Sequence, residues 1–163
     1  MKSIPEMIAE RQAEFKHQCE LMGYREHVTR VVAHAQEMYG QGSLEAFVAL
    51  YHDAVEDKVM RLDQVCAELE EKYKLESVYV SAICAAVSAI TRKASETYAE
   101  YIERVAKDPL ARRTKLADLE VNMFLSPTPP PGDLSKRYAK AIARLKAFDP
   151  ETMVPYEGCS ELE

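Results

Sequence analysis

The chain has 163 residues, is 47% hydrophobic and 29% charged, and carries a net charge of −6. That length suits one domain with a sizeable core, and five glycines are too few for a sandwich or barrel with many tight turns. The acidic balance argues against broad electrostatic binding to duplex nucleic acid or an anionic membrane, and no run approaches the roughly 20 apolar residues of a membrane span.

In chain order the pattern predicts eight helices. Residues 4–21 are charged and amphipathic. Residues 24–39 carry Val28, Val31, Val32, Ala35 and Met38 at the three-and-four spacing of a packed helix. Gly40, Gly42 and Ser43 interrupt it, with Ser43 an N-cap for a mostly apolar helix over 44–54 that should lie deep in the core. After a polar break at Glu56-Asp57-Lys58, residues 62–73 read as an acidic helix with Leu62, Val65, Cys66 and Leu69 inward. The stretch 76–91 is the most apolar; its β-branched residues suit a strand, but its length and alanines predict a central helix. Residues 96–107 place Tyr98, Ile102 and Val105 on one stripe. Asp108-Pro109 is an N-cap followed by Pro at the first helical position, opening a helix to about 123. SPTPPPGD, 126–133, cannot be helical. A last helix over 134–148 carries Tyr138, Ile142 and Leu145.

The expected architecture is therefore an all-α, single-domain bundle of seven to eight helices over residues 1–149, with an irregular tail at 150–163. The N-terminus lacks the apolar core of a signal peptide. Cys19, Cys66, Cys84 and Cys159 form no CxxC pair, and three of them sit in apolar helical patterns. Reduced, buried thiols and a cytoplasmic location are expected. No oligomeric state is legible.

Four features carry chemistry: His27 near the start of the second helix, His52-Asp53 near the end of the third, Glu56-Asp57 just beyond, and Asp118 with Lys115 and Asn122 on one face of a late helix. Singly, each is more often a satisfied core or surface residue. Together they are harder to dismiss. The apolar run Phe47–Tyr51 delivers an imidazole and a carboxylate to a buried point, and such groups need strong partners. A divalent ion would satisfy both. Two imidazoles and two carboxylates suit Mn, Fe, Co, Ni or Zn better than Ca, and the lack of cysteine argues against a structural zinc site.

The series His27, His52-Asp53, Asp118 resembles the H…HD…D signature of the HD-domain metal-dependent phosphohydrolases. ALYHDAVEDK, 49–58, is similar to the ALLHDxVEDT segment of the (p)ppGpp hydrolases, the hydrolase domains of RelA/SpoT-type enzymes and their small stand-alone relatives. RLDQV, 61–65, resembles their TxLDEV, and TKLADLEVN, 114–122, their VKLADxxxN. Tyr24 matches the Tyr of YxxH. The likeness spans about residues 24–145. It departs at the basic RKxGxPYxxH segment: here CELMGYREH, 19–27, keeps the Tyr and His without the Arg-Lys pair or the Pro. Lys16, His17 and Arg25 stand nearby as substitute cations.

The resemblance implies an HD-type helical bundle in which His27, His52, Asp53 and Asp118 hold one divalent metal, Mn²⁺ first among the ions named above. It implies that Glu56 and Asp57 orient or deprotonate the attacking water, and that Tyr24, Arg92, Lys115, Asn122 and Arg137 face the substrate. The expected reaction is hydrolysis of a phosphoester or pyrophosphate ester of a small-molecule nucleotide, with (p)ppGpp 3′-pyrophosphohydrolysis as one form. The alternatives are an HD-type 5′-nucleotidase or deoxynucleoside triphosphate phosphohydrolase, and a non-catalytic nucleotide-sensing module.

Overall fold

The computed structural model describes residues 2–18 and 24–148, without the side chains of residues 4, 12, 14–18, 24 and 25. Eight helices and no strand stand among the described residues: α1 (Ile4–Gln18), α2 (Tyr24–Tyr39), α3 (Leu44–Tyr51), α4 (Leu62–Ala67), α5 (Ser77–Ile90), α6 (Tyr98–Ala106), α7 (Pro109–Glu120) and α8 (Gly132–Phe148). The chain is an all-α bundle. No helix among the described residues is long and apolar enough to cross a membrane. The tail, with Cys159, and Cys19 lie outside the described residues.

The centre of the bundle is α3, whose eight residues are all buried. It is anchored where the sequence places its cap: the Ser43 hydroxyl accepts from the Ala46 N–H at 3.2 Å, a bond that contributes about 1 kcal/mol. Phe47, Leu44, Leu50 and Tyr51 are fully buried, each stabilising the fold by roughly 1.5–3 kcal/mol. The stripe Val28, Val31, Val32, Ala35 of α2 packs on one side and α7 on the other.

The second inner helix is α7, also buried almost all round. Asp108 opens it, its carboxylate accepting from the Leu110 and Ala111 N–H groups, both at 3.0 Å. Its polar residues survive burial because they are paired: Arg113 Nη1 meets Glu45 Oε1 at 3.2 Å, and the Thr114 hydroxyl donates to the Leu110 carbonyl at 2.9 Å.

The structure corrects three expectations. The helix over 76–91 is present but not central: Val80, Ile83, Ala86, Val87 and Ile90 face the core while Val78 is 62% exposed. Cys66 and Cys84 are not free thiols but a disulfide, Cα to Cα 6.1 Å. No CxxC spacing announces it because the partners come from two packed helices, α4 and α5, 18 residues apart. Finally, α3 stops at Tyr51 rather than 54, and turns carry the chain through 52–58. The reason lies in the site.

Candidate active site

The end of α3, the first turn of α2 and the last turn of α7 converge, and their polar residues meet there. His52 caps α3 and is fully buried. Its Nδ1 lies 2.6 Å from the Ala49 carbonyl, which can only accept, so Nδ1 carries a proton and Nε2 is the nitrogen turned toward the neighbouring groups. That carbonyl would have received the Asp53 N–H in a continued helix. Taking the imidazole instead, it lets the chain unwind and turns Asp53 toward the same point as Nε2.

Around that point the donors are close. His52 Nε2 lies 3.3 Å from His27 Nε2 and 3.1 Å from Asp53 Oδ2. His27 Nε2 lies 3.7 Å from Asp53 Oδ2 and 2.9 Å from Asp118 Oδ1, and His52 Nε2 is 3.6 Å from that same oxygen. Donors about 2.1 Å from one ion are about 3.0 Å apart at right angles and about 3.4 Å apart in a tetrahedron. The observed separations bracket those values. His27, His52 and Asp53 form the compact group; Asp118 approaches both imidazoles from the α7 side. An Nδ1–H held by a backbone carbonyl is also how metal-ligating histidines are oriented. The donor set fits a divalent ion.

Asp118 is the most heavily partnered of the four. Lys115 Nζ donates to Oδ2 at 2.7 Å and Asn122 Nδ2 to Oδ1 at 3.1 Å. Burial would raise its carboxyl, but the Lys115 ammonium and the two imidazoles hold it well below the usual carboxylate range. Lys115 answers in kind: burial would lower it, and Asp118 keeps it well above an ordinary lysine. Expected to face a substrate, Lys115 and Asn122 instead spend their nearest hydrogen bonds on Asp118. Asp53 is likewise depressed, burial being outweighed by the adjoining His52, and His52 is raised despite burial by Asp53 and Asp118.

In front of this group opens a cleft of about 360 Å³. It brings together every expected site residue except His52, which lies behind its floor, and Tyr24, which starts α2 but whose side chain is outside the described residues, as are those of Lys16, His17 and Arg25. Glu56 Oε2 accepts from the Arg92 backbone N–H at 3.1 Å, tying the 52–58 turns to the loop after α5. The Asp57 carboxylate has no hydrogen-bond partner among the described residues; burial and the neighbouring Asp53 and Glu56 raise it above the usual carboxylate range. Arg92 and Arg137 lie over the Tyr98 ring, at 5.7 and 4.5 Å from its centroid.

Sequence reasoning missed three wall residues. Tyr98 was placed on the stripe of α6 and Tyr138 on that of α8; with Tyr101 they line the cleft. Tyr101 is buried, its hydroxyl donating to the Ile90 carbonyl at 2.5 Å, and burial pushes it up to about 12. Tyr98 shares a stripe with Ile102 but is only half-buried, and it is flanked by Arg92 from the loop after α5 and Arg137 from α8, contacts that periodicity cannot foresee. His34, outside the motif, pairs with Glu120 at 2.8 Å, away from the cleft. No protein-family model and no curated protein matches the chain.

Proposed function

We infer that the chain is a metal-dependent phosphohydrolase of the HD type acting on a nucleotide. The observation that carries this reading is a pair of imidazole Nε2 atoms 3.3 Å apart, each with one oxygen of Asp53 and one of Asp118 within 2.9–3.7 Å, at a cleft that also holds further carboxylates and cations. His27, His52, Asp53 and Asp118 would hold the ion, with Mn²⁺ preferred over Fe, Co, Ni and Zn. When bound, such an ion supplies Lewis acidity toward a phosphoryl oxygen and toward water.

The chain's own residues divide the remaining work. Asp57, without a partner, is the group placed to take a proton from an attacking water. Glu56, held by the Arg92 backbone, is placed to orient that water. Arg92 and Arg137 line the same cleft as donors to phosphoryl oxygens. Lys115 and Asn122 act through Asp118: they hold its carboxylate ionised and pointed at the imidazoles. A hydroxyl or phosphate leaving group would depart on the side of the two arginines. The likeness of 49–58 and 114–122 to the (p)ppGpp hydrolases makes that nucleotide one candidate substrate; the missing Arg-Lys pair before Tyr24 makes other nucleotides equal candidates.

The test is phosphate and pyrophosphate release by the purified protein with Mn²⁺, on (p)ppGpp, the ribo- and deoxynucleotides and a cyclic dinucleotide, beside a measurement of metal content. Mn-dependent release abolished by His52→Ala and Asp53→Ala supports the reading. Stoichiometric metal with no release from any member replaces it by a nucleotide-sensing module. A protein that retains no transition metal sinks both.

A further inference from the structure

A second groove opens beside the cleft, between α6 and α8, with a volume of about 370 Å³. Tyr98 and Arg137 line both, so the two adjoin at that pair. Its floor is apolar: Ile102 and Ala141 are 3% and 4% exposed and pack side by side beneath it. Its α8 wall is built from positions 137, 140, 141 and 144, which share one helix face. That wall brings Arg137, Lys140 and Arg144 to the groove against one carboxylate, Glu103, in a chain whose net charge is −6.

The charges are not equally spent. Arg144 grips Glu103 with two guanidinium nitrogens, Nη2 at 2.7 Å from Oε2. Lys140 and Arg137 form no ion pair among the described residues. Arg137 instead places its guanidinium over the Tyr98 ring, 4.5 Å from the centroid. The groove thus offers an apolar floor, an aromatic–guanidinium platform and a free ammonium. A small inorganic anion has no use for the floor, and an acyl chain none for the platform. A planar heterocycle carrying an anionic group uses all three.

We propose that this groove is the subsite for the part of the nucleotide that is not hydrolysed, its base seated between Ile102, Ala141 and the Tyr98–Arg137 pair and its remote anionic group at Lys140. The assignment rests on the phosphohydrolase reading, which puts the scissile phosphoryl group in the adjoining cleft. Lys140 and the width of the groove at Ala99 then set substrate preference.

The experiment is calorimetric titration of ADP, GDP and UDP, with adenosine and pyrophosphate as fragments, into the full chain in EDTA. The parent is compared with Lys140→Glu, which reverses the free charge, and Ala99→Trp, which fills the groove from an exposed position. The expected result is that a diphosphate binds more tightly than either fragment and that each variant weakens it at least tenfold, with unfolding midpoints unchanged. Equal binding by the parent and both variants, or no binding of any diphosphate by the parent, overturns the subsite. Mn-dependent nucleotide hydrolysis with KM unmoved by both variants also overturns it while leaving the hydrolase reading intact. Diphosphate binding that both variants weaken, without turnover of any nucleotide in Mn²⁺, sinks the hydrolase reading and leaves the groove standing.

Discussion

Replacing Lys115 by Met tests whether Asp118 is held by its ammonium or merely lies beside it. The pair is 2.7 Å apart, with side chains 14% and 4% exposed. Met keeps most of the aliphatic stem, so the substitution removes charge more than packing. Breaking a buried pair from one side costs about 3–5 kcal/mol, because the other charge stays behind. Here Asn122 and His27 remain on Asp118, which puts the expected loss near the lower end, about 3 kcal/mol.

For a chain of this size that loss lowers the unfolding midpoint by roughly 6–12 °C. The assay is thermal unfolding followed by circular dichroism in EDTA. The sign with pH follows from both partners. Asp118 is depressed, so its share is present above the ordinary carboxylate value of 3.8 and is lost as pH falls below it. Lys115 is raised, so its share is present below the ordinary lysine value of 10.5 and persists somewhat above it. The gap between parent and variant is therefore flat from about pH 5 to 10 and closes in acid. Asp118→Asn added to Lys115→Met should restore at least about 1 kcal/mol of the loss, since the stranded charge is gone. Saturating Mn²⁺ should narrow the gap for the single variant by supplying positive charge near Asp118. A single variant that melts within about 2 °C of the parent in EDTA at neutral pH refutes the reasoning.

Three further outcomes are expected. Mn²⁺ at a hundred times its Kd should stabilise the parent by about 2.7 kcal/mol, and His52→Ala should lose that rise in the same melting assay. Glu56→Gln should keep the Mn²⁺-dependent rise but depress turnover at least about tenfold; an unchanged rate removes Glu56 from the reaction. Glu96, bonded by Arg104 and thereby held down to about 2, contributes stability that is complete above the ordinary glutamate value of 4.5 and lost as pH falls toward 2. Glu96→Gln should accordingly melt below the parent at pH 7 and converge with it in strong acid, as pH-resolved melts would show.

Helix identity was legible where one face decides it. The α2 stripe, the Ser43 cap and Asp108-Pro109 each act locally, and each appears as read. What a local pattern cannot carry is which helix lies inside. The stretch 77–90 looked central because it is apolar, yet α7, with two arginines, a threonine and an aspartate in sequence, is the more buried. Arg113 is tolerable through Glu45 on α3 and Arg112 through the Ala106 carbonyl on α6, partners that spacing along one helix does not reveal. The disulfide and the arginines on Tyr98 were hidden for the same reason: each joins two different elements, whose packing no single-helix periodicity shows. The site residues were legible because HD and KLADxxxN each concentrate several groups in a few residues. Their division of labour was not, since only the folded chain shows Lys115 and Asn122 bonded to Asp118.

Charge across the cleft gives the proposed reaction a direction. The inner group sets two carboxylates, Asp53 and Asp118, against one ammonium, Lys115, and a divalent ion held by the two imidazoles and these carboxylates would make it positive. The 52–58 turns give the cleft an acidic wall, Glu56 and Asp57, and the loop after α5 and the start of α8 a basic one, Arg92 and Arg137, the two meeting where Glu56 accepts from the Arg92 backbone N–H. A phosphoryl group is repelled by the first wall and drawn to the second, so it would settle toward the arginines with its attacked face turned to the carboxylates. Water is then activated on the acidic side and the leaving group stabilised on the basic side, as in-line displacement requires. Reversing Arg137 to Glu should therefore raise KM for an anionic substrate more than it lowers Mn²⁺ affinity. If the metal were lost and KM unmoved, the two walls would not be playing separate parts.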